Sequence, residues 1–224
     1  MSTKDWPSAD EPSTKLLLHG ASYLSDEELL AVFLRARKGS TDIRKTAKSL
    51  LDEHGGLRQV LDAVRADEAK SKDLSPSVRA KMLAGEELAT RSYAQILREK
   101  GALTSPQLTQ RYLASQLQNK KHEVFSGLLL DSQHRVIKYI ELAHGTIDGA
   151  AVYPREVVKA VLDHNAAAVI FAHNHPSGIA EASQADKAIT ERLVKALSLI
   201  DVRVLDHIIV GDGEFTSFAE KGWL

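Results

Sequence analysis

The chain contains no cysteine. That excludes disulfides and thiolate metal sites together. Any transition metal must then sit on imidazole and carboxylate, so the nine histidines are the residues to weigh. There is no long apolar run; none approaches the roughly 18 residues that span a bilayer. Net charge is nearly absent, −1 over 224 residues. Residues 1–100 come to +1 and residues 101–224 to −2, so neither half has the cationic surface of a strong polyanion binder. A local basic patch, Arg35, Arg37 and Lys38 with Arg44, Lys45 and Lys48, is the one exception to examine. Met1 to Pro12 lacks the basic start and apolar stretch of a secretory signal. A cytoplasmic protein without a membrane partner is the expectation. There is no internal repeat and no low-complexity tract.

What is present is ordinary globular composition, 43% hydrophobic and 26% charged, with length for one mid-sized domain and a small one. From Ser25 to about Glu99 the pattern is helical. Ser25-Asp-Glu-Glu28 is a capping-box signature ahead of Leu29, Leu30, Val32, Phe33 and Leu34. Ala47, Leu50 and Leu51 predict a second helix that stops at Gly55-Gly56, and Leu57, Val60, Leu61 and Val64 a third. Pro76 opens a helix running from Val78 to Tyr93. Residues 1–100 therefore read as a small helical domain, 101–106 as a linker with Gly101 and Pro106, and 107–224 as a mixed α and β domain. In that domain a helix covers Gln107 to Gln118. Val124 to Leu130 and Val136 to Leu142 are strands joined by polar residues 131–135. Tyr153-Pro154 opens a helix with Val157, Val158, Val161 and Leu162 on one face. Ala167 to Ala172 is a buried strand, Ser183 to about Leu199 a helix, and Val202 to Val210 the final strand.

Chemistry concentrates after the buried strand, in His173-Asn-His-Pro-Ser-Gly178. Alternate residues of an extended chain point the same way, so His173 and His175 can present two imidazoles to one point. Ser183-Gln-Ala-Asp186 starts the next helix, and a chain that turns back there brings Asp186 to the same point. Two nitrogens and a carboxylate oxygen leave a fourth zinc position open, as in catalytic sites. Taken singly, each feature has a plainer reading. A lone His-x-His is weak evidence for ligation, and Ser183-x-x-Asp186 is itself a serviceable capping box. The residues alone reach a candidate His-His-Asp metal site and no further. His207, in an apolar strand, reads as a hydrogen-bonded core histidine rather than a ligand. Asn174 points away from the two imidazoles and reads as a structural hydrogen-bonder. His122, His134, His144 and His164 are assigned no role.

His-x-His-Pro followed by Ser-x-x-Asp at this spacing resembles the metal-binding motif of JAMM (MPN⁺ or JAB) metallopeptidases. With Gly145-Thr146, Tyr153-Pro-Arg-Glu156, Asp206-His-Ile-Ile-Val-Gly211 and Ser217-Phe-Ala-Glu220, the C-terminal 120 residues resemble the bacterial RadC family. The resemblance implies a JAB/MPN-like domain, a mixed β-sheet flanked by helices with cytidine-deaminase-like layering, preceded by a small all-helical domain. It implies Zn²⁺ on His173, His175 and Asp186. It further implies Glu123, in Lys121-His-Glu-Val-Phe125, as the general base for the attacking water, where spacing alone leaves Glu141 and Glu156 as rivals. It implies Ser183 as a hydrogen-bond donor to the oxyanion. The expected activity is zinc-dependent hydrolysis of an amide in a protein or peptide substrate.

RadC-like proteins also carry a helix-hairpin-helix segment before the metal domain. The matching stretch, Lys72 to Met82, has Asp73 and Ser75 where glycines are expected. Loss of glycine removes the permissive backbone that approaches phosphate, and an aspartate there repels it. This degenerate segment reads as structural, which argues against nucleic acid as a partner. The competing class is a nucleic-acid-binding protein of repair or recombination whose metal site is structural or nuclease-like. A third reading is a metal-bearing scaffold with a blocked pocket. Exposed edge strands also allow self-association as a homodimer.

Overall fold

The computed structural model describes residues 11–34, 43–66, 74–145 and 152–224. Arg35, Arg37, Lys38, Lys72, Asp73 and Thr146, singled out above, lie outside them. The chain divides into two compact units, Met1–Leu88 and Ala89–Leu224. The dividing point falls within one helix.

The first unit is helical: α1 (Pro12–His19), α2 (Asp26–Phe33), α3 (Ile43–His54), α4 (Leu57–Arg65) and the start of α5 (Pro76–Lys100). The Ser25 capping box forms with both bonds in place: Ser25 Oγ accepts from Glu28 N, and Glu28 accepts from Ser25 N. α3 ends at Gly55, whose φ of +90° suits glycine alone. Leu30, Leu50, Val60, Val64, Leu74, Val78 and Met82 form the core. Leu74 and Val78, from the hairpin-like stretch, thus serve packing. α1 was not expected. Its signal is Pro12 at the first helical position, weakened because Leu17 and Leu18 are exposed rather than buried.

The second unit is a five-stranded sheet between helices. Its elements are α6 (Pro106–Leu117), β1 (Val124–Leu130), β2 (Val136–His144), α7 (Pro154–Asp163), β3 (Ala168–Asn174), α8 (Gln184–Ser198), β4 (Arg203–Val210) and β5 (Phe215–Ser217). The strand order is β2-β1-β3-β4-β5. β3 and β4 run parallel, and the other neighbours are antiparallel. The mixed α and β class expected for this half is what forms. Among the described residues, no helix is long and apolar enough to cross a membrane.

Side-chain alternation explains the layering. β1 and β3 are buried at every residue, as central strands covered on both faces must be. Ala168, Ile170 and Ala172 turn toward α6, with Leu113 and Leu117. Val169 and Phe171 turn the other way, to Val157 and Val161 of α7 and Leu193 and Leu197 of α8. Continuing that period puts His173 on the α8 face. Two differences from expectation matter. β3 runs past its apolar run to Asn174, because Asn174 still pairs with Val210 in the sheet. A further strand, β5, follows β4; three residues with a central threonine carry too little pattern to be read in advance.

Candidate metal centre

β3 delivers His173 at its carboxyl end, fully buried. The chain then turns sharply. Gly178 N donates to His175 O, and Gly178 has φ +82°. Gly211 packs against this turn so closely that a Cβ there would lie 2.5 Å from Gly178 O. The turn returns the chain to α8, whose N-cap is Ser183. Asp186 in the first turn of α8 therefore faces back toward the end of β3.

The three side chains meet. His173 Nε2 lies 2.9 Å from His175 Nε2 and 3.3 Å from Asp186 Oδ1, and His175 Nε2 lies 3.8 Å from Asp186 Oδ2. Among the described residues, these three form the group of His and carboxylate atoms close enough to share one ion.

Hydrogen-bond partners decide which atoms carry lone pairs. His175 Nδ1 is 2.8 Å from Ile179 O. A carbonyl only accepts, so Nδ1 carries the hydrogen and a neutral His175 leaves Nε2 bare. On the far side of His173, Nδ1 lies 2.8 Å from His207 Nε2. Burial pushes the His173 imidazole down to about 4, and pushes His207 well below the usual histidine range. Both rings are neutral near pH 7. Asp186 Oδ2 is held by Ser183 N at 2.8 Å and by Ser183 Oγ at 2.6 Å. Oδ1 is left toward the imidazoles.

Acceptor atoms thus face one another at a largely buried point. A proton relieves one pair of them; a cation relieves all three. Zinc bonds nitrogen at about 2.0 Å with tetrahedral angles, which sets donors roughly 3.3 Å apart. His173 Nε2 lies near that distance from both His175 Nε2 and Asp186 Oδ1, and two imidazoles with one carboxylate are a donor set that suits the metal the sequence implies.

Glu123 sits one residue before β1 rather than on it. β1 is antiparallel to β3, with Phe125 opposite His173, so the start of β1 lies at the end of β3 that carries the histidines. Partial burial pushes the Glu123 carboxyl up, Asp186 pushes the same way, and His175 pulls against them. Glu123 therefore senses both groups without joining the ligand set. The rivals are engaged elsewhere: Glu141 by Lys120 at 2.7 Å and Glu156 by Arg155 at 3.1 Å.

Residues 103–223 match the family model described as RadC-like JAB domain. The chain belongs to that family. Residues 3–77 of this RadC-like chain match a second model, described as UPF0758 N-terminal. The relatives align over the whole of both chains. The "UPF0758 protein" of Shewanella oneidensis is 54% identical over 224 residues, and those of Tolumonas auensis and Azotobacter vinelandii are each 52% identical.

Some residues of this RadC-like site escape a reading of the sequence. Asn174 does make structural bonds, and to a particular place. Its Oδ1 accepts from Val124 N at 2.9 Å, and its Nδ2 donates to His122 O at 3.1 Å and Lys120 O at 3.3 Å. It grips the backbone on both sides of Glu123. His207 is a buried, hydrogen-bonded core histidine, and its second partner is Thr190 Oγ1 at 2.6 Å. Thr190 was not singled out. Its one signal is its place a helical turn after Asp186.

Proposed function

We propose that this protein is a zinc-dependent hydrolase of the peptidase or isopeptidase type, acting on an amide in a protein or peptide. The observation that carries the reading is the convergence of two imidazoles and one carboxylate, those of His173, His175 and Asp186, at one largely buried point. Zinc on those atoms supplies Lewis acidity, which polarises a carbonyl and makes water acidic near neutral pH. Everything else is done by the chain. Glu123 takes a proton from the attacking water and returns it to the leaving amine. Its raised proton affinity suits that task, since a carboxyl at its ordinary value is a weak base. The Ser183 hydroxyl donates to the developing oxyanion. That proton rests on Asp186 Oδ2 at 2.6 Å, so the donation requires the hydroxyl to rotate away from the carboxylate. No residue needs to bond covalently to the substrate.

The test is metal content with single-turnover hydrolysis of a peptide or isopeptide library. About one zinc per chain is expected in the native protein and in Glu123→Gln, and none in His173→Ala. Cleavage is expected only in the native protein. A native protein that takes up no zinc when zinc is supplied overturns the reading. So does full cleavage by Glu123→Gln.

A further inference from the structure

His207 and Thr190 touch neither substrate nor metal in the reading above, yet both are buried against the site. Thr190 Oγ1 lies 2.5 Å from Asp186 O, the backbone carbonyl one helical turn earlier. That carbonyl only accepts, so the threonine proton is committed to it. Toward His207 Nδ1, 2.6 Å away, Thr190 Oγ1 is then an acceptor, and His207 Nδ1 carries the hydrogen. A neutral His207 has one ring hydrogen, so its Nε2 is bare. It accepts from His173 Nδ1 at 2.8 Å. His173 in turn has no hydrogen left for Nε2, the atom that faces Asp186 Oδ1 at 3.3 Å.

We infer that His207 and Thr190 are positioning residues that lock His173 in the tautomer with a bare Nε2, and that the direction of this lock originates at the Asp186 backbone carbonyl. The inference rests on the metal-site reading for its purpose, though not for its geometry. The chain of bonds links three elements. Thr190 is on α8, His207 on β4 and His173 on β3, and the carbonyl that starts the chain is that of Asp186 itself. Reversing any one bond reverses all that follow. The register favours this arrangement: His207 pairs with Phe171 across the parallel β3–β4 ladder and shares the face of Phe171 and His173. Phe218 and Phe125 enclose the His207 ring, with centroids at 4.7 and 5.3 Å, and hold it in plane for both bonds. Partners of this kind, bonded to the far nitrogen of a metal-ligating histidine, typically change metal affinity about 10–100-fold when lost.

The test uses the full chain, labelled with ¹⁵N-histidine and freed of metal. Long-range ¹H–¹⁵N correlation spectra report the tautomer of each ring. His173 and His207 are both expected with hydrogen on Nδ1. Thr190→Val keeps the shape and removes the acceptor. It is expected to move the His207 hydrogen to Nε2, to reverse His173 with it, and to weaken zinc binding about 10–100-fold in competition with a chromogenic chelator. Thr190→Ser is expected to restore both readouts. Hydrogen on Nε2 of His173 in the native protein overturns the inference, as does a Thr190→Val variant with unchanged tautomers. The native spectrum decides even where Thr190→Val folds poorly. A protein that binds no zinc fails the hydrolase reading alone, because the tautomers are read without metal.

Discussion

Asn174 Oδ1 accepts the backbone N–H of Val124 at 2.9 Å, across 50 positions of sequence. The residue between the two histidines is thereby tied to the residue after Glu123. The alternation that sends His173 to one face of β3 sends Asn174 to the other, where it reaches the chain entering β1. One dipeptide thus places the His173 imidazole and, through a backbone clamp, the segment carrying Glu123.

Replacing Asn174 with leucine leaves the buried Val124 N–H without its acceptor and frees the carbonyls of Lys120 and His122, which lie nearer the surface. Unmade buried bonds cost about 1–3 kcal/mol each, so a clear drop in Tm is expected. Asn174→Asp keeps the acceptor for Val124 N but turns a carboxylate oxygen toward the Lys120 and His122 carbonyls, so it too is expected to lower Tm. Both variants are expected to hold zinc nearly normally and to lose turnover, because the clamp acts on Glu123 and not on the ligands. Calorimetry, zinc titration and kcat separate these effects. Loss of zinc with retained turnover per bound metal would contradict the assignment.

Ser183 does two things at once. It caps α8, accepting from Asp186 N at 3.1 Å, and it holds Asp186 Oδ2 so that Oδ1 faces the imidazoles. Ser183→Ala removes the side-chain cap, at a cost of about 1 kcal/mol, and takes away one of the two bonds that hold Asp186 Oδ2, leaving only the backbone N–H at position 183. Lower Tm and weaker zinc binding are expected together. Ser183→Thr keeps the hydroxyl and is expected to retain both. A Ser183→Ala variant with native zinc affinity would show that the hydroxyl's hold on Asp186 does not serve zinc binding.

The parts of this site that are local in sequence were legible, and the parts that depend on strand pairing were not. Two capping boxes, Ser25 with Glu28 and Ser183 with Asp186, are read from spacing because their bonds span three residues. His173 and His175 are read from alternation. Glu123 has no such signature. It reaches the site only because β1 runs antiparallel beside β3, a pairing of residues 48 apart at Phe125 and His173. The partnership of His173 with His207 spans 34 positions and runs through the parallel β3–β4 register. A core histidine was evident from the apolar context of His207, but which neighbour it serves was not. β5 was missed for a different reason: a strand of three residues has almost no period.

Gly211 sets how closely the β4 end approaches the turn that follows His175. A Cβ at this position would lie 2.5 Å from Gly178 O and 2.8 Å from Ala180 N, both backbone atoms that cannot swing away. Gly211→Ala must therefore shift the turn that carries Ile179 O, the acceptor holding His175 Nδ1. Weaker zinc binding is expected, with His173 retaining its tautomer. Gly213→Ala, open in space but at φ +74°, is the control: it is expected to cost about 1 kcal/mol in Tm without altering zinc affinity.

Tyr139 on β2 gives the fold a pH-dependent limit that is separate from the candidate metal site. Burial pushes its phenol up to about 12. A folded value above the unfolded one means that the native state holds the proton more tightly. The stabilising contribution is fully present below pH 10 and is lost as pH rises from 10 through 12. Linkage puts it at no more than about 3 kcal/mol. Chemical denaturation at pH 8 and at pH 11 to 12 reads this directly. The native protein is expected to lose stability across that interval, and Tyr139→Phe, which has no proton to lose, to lose measurably less. At pH 8 the two are expected to agree within about 1 kcal/mol, since the ring still packs edge-on against Tyr112 with centroids 6.2 Å apart. Equal alkaline losses in both proteins would place the alkaline limit on other groups.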